Sequence, residues 1–272
     1  MKIHLFEAGH CYQGRHLALQ GEPVVKEVFP SLAACIEHPE ACILFDTGYS
    51  DLFFQETKSF PFSLYAKLTP VEITEAQTLR AQLFRKGILP EQIQWIVLSH
   101  FHADHIAACR HYPKARFIVS REAAVDFQKS RGLSRLTSAY LPGLLPADFW
   151  ERCVWIEDIG RRVPGSVWNR GLAWLTDTRI QVVPLPGHAA GHLGLWVDPD
   201  LFLLGDACWL RESFESNRIP SLMTKPLVWN WDQMTQTIAD LHEFHRLHPK
   251  VRLIPSHCRK SHVLAQREQV GI

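Results

Sequence analysis

The sequence carries almost no net charge and no long apolar run. Its 29 lysines and arginines against 28 aspartates and glutamates leave a formal +1. No broad basic field is therefore available to a phosphate backbone, which excludes nucleic acid as the expected partner. No stretch approaches the roughly 20 apolar residues that span a bilayer, which excludes a helical membrane protein. The opening, MKIHLFEAGHCYQGRH, lacks the apolar core of a signal peptide, and the expectation is a cytoplasmic protein. Any C-x-x-C pair is missing too. The seven cysteines (Cys11, Cys35, Cys42, Cys109, Cys153, Cys208, Cys258) are odd in number, so neither a disulfide framework nor a thiolate zinc knuckle is indicated, and they read as reduced, mostly buried thiols. What is present is a globular chain of 272 residues, 46% hydrophobic, with 15 histidines. That is enough to bury one large core or two small ones.

Short apolar runs separated by turn residues fill the first third and read as strands: Ile3 to Phe6, Val24 to Phe29, Leu32 to Ile36 and Cys42 to Phe45. From Thr74 the pattern turns helical. Thr74 and Gln77 make a capping box, Leu79, Leu83 and Phe84 keep helical spacing, and Gly87 supplies the stop. The run QWIVLS (Gln94 to Ser99) is too short and too apolar to be other than a buried strand, and the alternation of a strand predicts His100 and His102 on one side. Ala115 to Val119 is a further strand, and Ser120 caps a further helix. Strand-like runs return at Ile180 to Leu185, Leu193 to Val197 and Leu201 to Leu204. A last helix starts at Asn230, with Met234, Ile238, Leu241 and His245 on one face, and Val251 to Pro255 is a final strand. Residues 130 to about 170 break the rhythm with three prolines and scattered large apolar groups. This segment is either an insertion packed on the core or a substrate-covering lid.

Several of these strands end in the same kind of residue. His100 follows QWIVLS, Asp206 follows LFLLG, His257 follows VRLIPS, and His188 sits in the turn after QVVPL. With His102, Asp104 and His105 there are seven candidate ligands. One tetrahedral zinc takes four, and a catalytic one three plus water, so seven donors suit two ions. A sensible division gives His100, His102 and His188 to one ion and Asp104, His105 and His257 to the other, with Asp206 and a shared hydroxide bridging. Imidazole plus carboxylate without thiolate suits zinc, iron, cobalt or manganese.

The ordered set H-x-H-x-D-H (His100, His102, Asp104, His105), G-H (Gly187-His188), G-D (Gly205-Asp206) and S-H (Ser256-His257), preceded by F-D-T-G at Phe45 to Gly48, resembles the metallo-β-lactamase superfamily over nearly the whole chain. The resemblance implies an α/β fold, a four-layer αββα sandwich of two mixed sheets flanked by helices. It also implies one domain over residues 1–272, in which both halves serve one dinuclear site. The length and the G-H-x-x-G-H variant (Gly187, His188, Gly191, His192) look most like the N-acyl homoserine lactonases. The implied activity is hydrolysis of a small molecule, a lactone or ester with an apolar group, by a metal-bridging hydroxide, with Asp104 and Asp206 passing the proton. A thioesterase, another metallo-hydrolase, or a metal-containing binding or signalling protein with incidental turnover are the alternatives. A homodimer is left open.

Trp209 departs from the pattern, because the lactonases typically carry a tyrosine there, three residues after the bridging aspartate. An indole donates a hydrogen bond but has no proton to surrender, so Trp209 is expected to wall the substrate pocket with Tyr140, Phe149 and Trp150. Tyr12, Tyr49 and Tyr140 are the candidates to replace the missing hydroxyl. His192 reads as structural support, Cys208 and Cys258 as packing, and His242, His245 and His248 as a partly solvated helix face.

Overall fold

The apolar runs of the first third become strands of a seven-stranded mixed sheet. The computed structural model describes residues 1–197 and 199–268. The strands are β1 (Lys2–Gly14), β2 (Lys26–Glu37), β3 (Cys42–Phe45), β4 (Val71–Glu72), β5 (Ile93–Val97), β6 (Arg116–Val119) and β7 (Cys153–Trp155), in the order β4-β1-β2-β3-β5-β6-β7. The two strands expected at Val24 to Phe29 and Leu32 to Ile36 are one continuous β2. Pro30 forfeits a single ladder donor, and the burial of Phe29 and of Leu32 to Ile36 outweighs that loss. β3, β5 and β6 run parallel, with Phe45 opposite Val97 and Val97 opposite Ile118. Their C-terminal ends therefore open side by side.

A second sheet holds β8 (Arg161–Arg162), β9 (Leu172–Ala173), β10 (Ile180–Pro184), β11 (Leu193–Val197), β12 (Leu201–Gly205) and β13 (Arg252–Pro255), in the order β13-β12-β11-β10-β9-β8. It is antiparallel except for the β12–β13 pair. By its contacts the chain forms two compact units, one comprising Met1–Tyr12, Val28–Val119 and Ala124–Val154, the other Gln13–Glu27, Ser120–Ala123 and Trp155 onward. The fold class is α/β, two mixed sheets flanked by helices, as expected.

The helices α1 (Asp51–Glu56), α2 (Leu79–Arg85) and α3 (Ala103–Ile106) belong to the first unit, and α4 (Trp231–Leu247) to the second. The Thr74–Gln77 box caps a single 3-10 turn, and α2 starts from a second cap, Thr78, whose hydroxyl accepts the Ala81 N–H. Gly87, at φ 78°, ends it. Asn230 caps α4 through the Gln233 N–H, and Met234, Ile238, Leu241 and Phe244 bury against Phe202, Leu204 and Leu253 of the second sheet. The stretch after residue 130 is not structureless. It contains helical turns at Leu133–Thr137, Pro142–Leu144, Phe149–Arg152 and Ile156–Ile159, with Leu141, Leu144, Phe149 and Ile156 buried. Among the described residues, no helix is long and apolar enough to cross a membrane.

Candidate metal centre

In the first unit the parallel register of β3 and β5 decides where the histidine cluster goes. Asp46 follows β3, and its N–H bonds the Val97 carbonyl at the end of β5 (3.0 Å). β5 stops at Val97, so His100 and His102 do not continue a strand; His100 lies in the connecting loop and His102 is the N-cap of α3. The expected alternation of a strand is corrected to a tight loop and one helical turn. That turn brings the ring of His100 to 4.3 Å from His102 and 4.1 Å from His105. Asp104 and His105 are both buried on α3.

Asp46 organises this cluster, a role the F-D-T-G signature did not reveal. Its Oδ1 accepts the Ser99 N–H (2.7 Å) and its Oδ2 accepts the Ser99 hydroxyl (2.8 Å) and faces His105 Nδ1 (2.8 Å). An ionised carboxylate only accepts, so His105 carries its proton on Nδ1 and keeps Nε2 as a lone pair. The Ser99 hydroxyl, spent on Asp46, can only accept from His100 Nδ1 (2.9 Å), so His100 presents Nε2 in the same way. Burial pushes the Asp46 carboxyl above its usual range, and the bonds from His105 and Ser99 oppose that shift. Around it, Thr47 donates its N–H and its hydroxyl to the His105 carbonyl (both 2.9 Å), Ser31 bonds the Asp104 carbonyl (2.8 Å) and Ser50 the Ala107 carbonyl (2.6 Å).

In the second unit, β12 and β13 are parallel with Gly205 opposite Pro255, which sets Asp206 and His257 side by side just beyond the strands. His188 lies in the turn between β10 and β11, closed by the Leu185 N–H on the His192 carbonyl (2.9 Å). The turn requires Gly187. Its φ is 129°, and a Cβ there would sit 2.1 Å from the Met234 backbone nitrogen in α4. The Trp229 and Asn230 N–H groups bond the His188 and Gly187 carbonyls (3.0 and 2.9 Å). His192 Nε2 accepts the Asp206 N–H (3.0 Å), so this histidine orients the backbone of the aspartate. Asp206 Oδ2 has His257 Nε2 at 3.1 Å, His188 Nε2 at 3.4 Å and Trp209 Nε1 at 3.2 Å.

These spacings fit a metal. Two ligand atoms bonded at 2.0–2.1 Å to a tetrahedral zinc lie about 3.3 Å apart. The Asp206 pairs with His257 and His188 (3.1 and 3.4 Å) and the His105 Nε2 to Asp104 Oδ2 distance of 3.4 Å match that edge. The ligand atoms of His100 and His102 also lie within 4.8 Å of one another.

The expected pocket residues divide. Tyr140 has its ring 6.0 Å from that of His102, but its hydroxyl donates to Asp126 (2.7 Å), and burial together with that bond raises its pKa. Tyr12 donates to Glu72 (3.0 Å), and Tyr49 is 1% exposed. Phe149, also 1% exposed, packs on Phe117 and Trp150 at 4.6 and 5.0 Å; it belongs to the core rather than to a pocket wall. Trp150 is half-buried on Phe101 and Phe127. Cys208 and Cys258 are buried, as packing requires.

Imidazole–carboxylate sets gathered just beyond strand ends in a two-sheet α/β fold have the donor chemistry to hold divalent metal ions. Residues 27–231 match the Metallo-beta-lactamase superfamily, and the chain belongs to that family; it is a metallo-hydrolase. Among curated proteins it is similar to one from Mycobacterium tuberculosis named as a probable metallo-hydrolase, 26% identical over 238 residues, 82% of this chain and 72% of the relative. It is also similar to an N-acyl homoserine lactonase from a Bacillus species, 25% identical over 225 residues and 80% of each chain. Among solved structures, an N-acyl homoserine lactone hydrolase with the product N-hexanoyl-L-homoserine at its catalytic metal center superposes with a TM-score of 0.70 at 20% identity. That likeness covers 97% of this chain and 95% of the other.

Proposed function

We propose that the chain is a dinuclear metallo-hydrolase of lactones or esters that carry an apolar group. His100, His102 and His188 hold one divalent ion, Asp104, His105 and His257 the other, and Asp206 is shared; zinc suits the donors best, with iron, manganese or cobalt able to replace it. The observation that carries this reading is Asp206 Oδ2, a single carboxylate oxygen at ligand-to-ligand distance from both His188 and His257. The similarity to lactonases supports the substrate class.

Two bound ions supply a nucleophile from water near neutral pH and a Lewis acid for a carbonyl oxygen. The chain's own contribution is to hold the His100 and His105 imidazoles in one tautomer through Ser99 and Asp46, and to fix the Asp206 backbone through His192. Asp104 and Asp206 move the proton to the leaving alkoxide, since Tyr12 and Tyr140 have their hydroxyls committed to carboxylates. We read residues 1–272 as one functional domain and the stretch from about 130 to 170 as an apolar insertion or lid. The working protein acts alone or as a homodimer in the cytoplasm, with a small molecule as its partner.

The test is elemental analysis with a substrate screen. Two ions per chain are expected, with turnover of lactones or aryl esters. Asp206→Ala should lose that turnover and at least one ion, while the neighbouring Cys208→Ser keeps both. At most one ion after careful loading, or turnover confined to thioesters or phosphodiesters, refutes the reading.

A further inference from the structure

Trp209 lies against two of the candidate ligands, Asp206 and His188. Building on the dinuclear reading, we infer that its indole N–H competes with the metal ions for Asp206, so that the two ions are held with unequal strength. Three nitrogens surround Asp206 Oδ2 within the second unit: His257 Nε2 (3.1 Å), Trp209 Nε1 (3.2 Å) and His188 Nε2 (3.4 Å). The two imidazole nitrogens can give up a proton and turn a lone pair toward an ion. The indole nitrogen cannot, because it is a donor only. Whatever the imidazoles do, this oxygen keeps facing a fixed N–H.

An ionised carboxylate has about four lone-pair sites, two on each oxygen. With both ions on Oδ2, the oxygen that faces His188 and His257, two ions and an N–H would make three claims on its two sites. Neither partner is free to withdraw. The indole is half-buried, meets the His188 ring edge-on at 5.6 Å and 86°, and is flanked by buried Cys208 and Leu210. Asp206 is 3% exposed and pinned by His192 through its N–H. The second ion to bind therefore finds the oxygen already engaged. A tyrosine at this position would carry its donor at the far end of a longer lever, so the competition belongs to the tryptophan.

The experiment is a stepwise titration of the metal-free protein with cobalt(II), followed by calorimetry and by the visible absorption of the bound ion. It uses the full chain and its Trp209→Phe variant. Phe keeps a ring against His188 and removes the N–H; Trp209→Leu, which also lacks the N–H, guards against a packing effect peculiar to Phe. Two unequal steps are expected in the original chain. In both variants the weaker step should tighten about tenfold, the lower end for a hydrogen bond to a charged group, while the stronger step stays within about threefold. A weaker step that is unchanged or loosened in both variants overturns the inference and makes the indole a support for the aspartate. Fewer than two ions in the original chain overturns the dinuclear reading, and this inference with it.

Discussion

Asp46→Asn separates what the buried carboxylate does for the metal from what it does for the fold. The carboxylate accepts from the Ser99 N–H, the Ser99 hydroxyl and His105 Nδ1, at 2.7, 2.8 and 2.8 Å. Asparagine keeps the shape, but one oxygen becomes an NH2 donor. The Ser99 N–H requires the remaining carbonyl, so the NH2 lies where Oδ2 was and faces His105 Nδ1. Donor against donor is avoided only if His105 moves its proton to Nε2. That is the nitrogen 3.4 Å from Asp104 Oδ2, the one needed for an ion. Loss of a carboxylate behind a liganding histidine costs about 10–100-fold in metal affinity. The metal-free fold should respond far less, because burial already disfavours the charged carboxyl at this site and a neutral amide avoids that penalty. Competition with a chromophoric chelator should show one ion weakened about 10–100-fold, while thermal unfolding of the metal-free protein moves by only a few degrees. Unchanged affinity for both ions would refute the tautomer argument, and a collapse of the metal-free protein would show that Asp46 is chiefly a structural residue.

Two further outcomes follow from the same geometry. Gly187→Ala forces a Cβ into the backbone of Met234 at a φ of 129°. It should lower the melting temperature by about 5–10 °C, as overpacking of about 1–3 kcal/mol plus backbone strain predicts, and weaken metal retention through His188; an unaltered melting curve would count against the turn's role. Burial, aided by the nearby His257, depresses His262 from 6.5 to about 3. The unfolded chain therefore binds a proton that the folded chain refuses, and stability is lost as pH falls from about 6.5 toward 3. The loss attributable to this residue between pH 6.5 and 5 is about 2 kcal/mol, and His262→Gln should flatten the pH dependence measured by urea unfolding. An identical slope in the variant would show that carboxylates govern the acid limb.

Local rules in the sequence were enough to find β1, β2, β3, β5 and β6 of the first sheet, β10 to β13 of the second, and α4 with its Asn230 cap, whereas the short strands β4, β7, β8 and β9 carry no apolar run long enough to read. Apolar runs, caps and ligand residue types are written in neighbouring positions, and only their long-range partners are missing. Those partners are where tertiary structure decided. Pro30 reads locally as a break, yet the burial on either side carries β2 through it. Phe149 reads as part of a pocket wall in an irregular segment, yet Phe117 and Phe101 enclose it. Asp46 stands 59 positions from the histidine it orients, and only the parallel register of β3 and β5 brings the two together. Trp209 is three residues from Asp206 and reads as a wall, because sequence specifies a side chain's chemistry and leaves its direction to the backbone that follows β12. The structure turns the indole N–H onto the Asp206 carboxylate, 3.2 Å away.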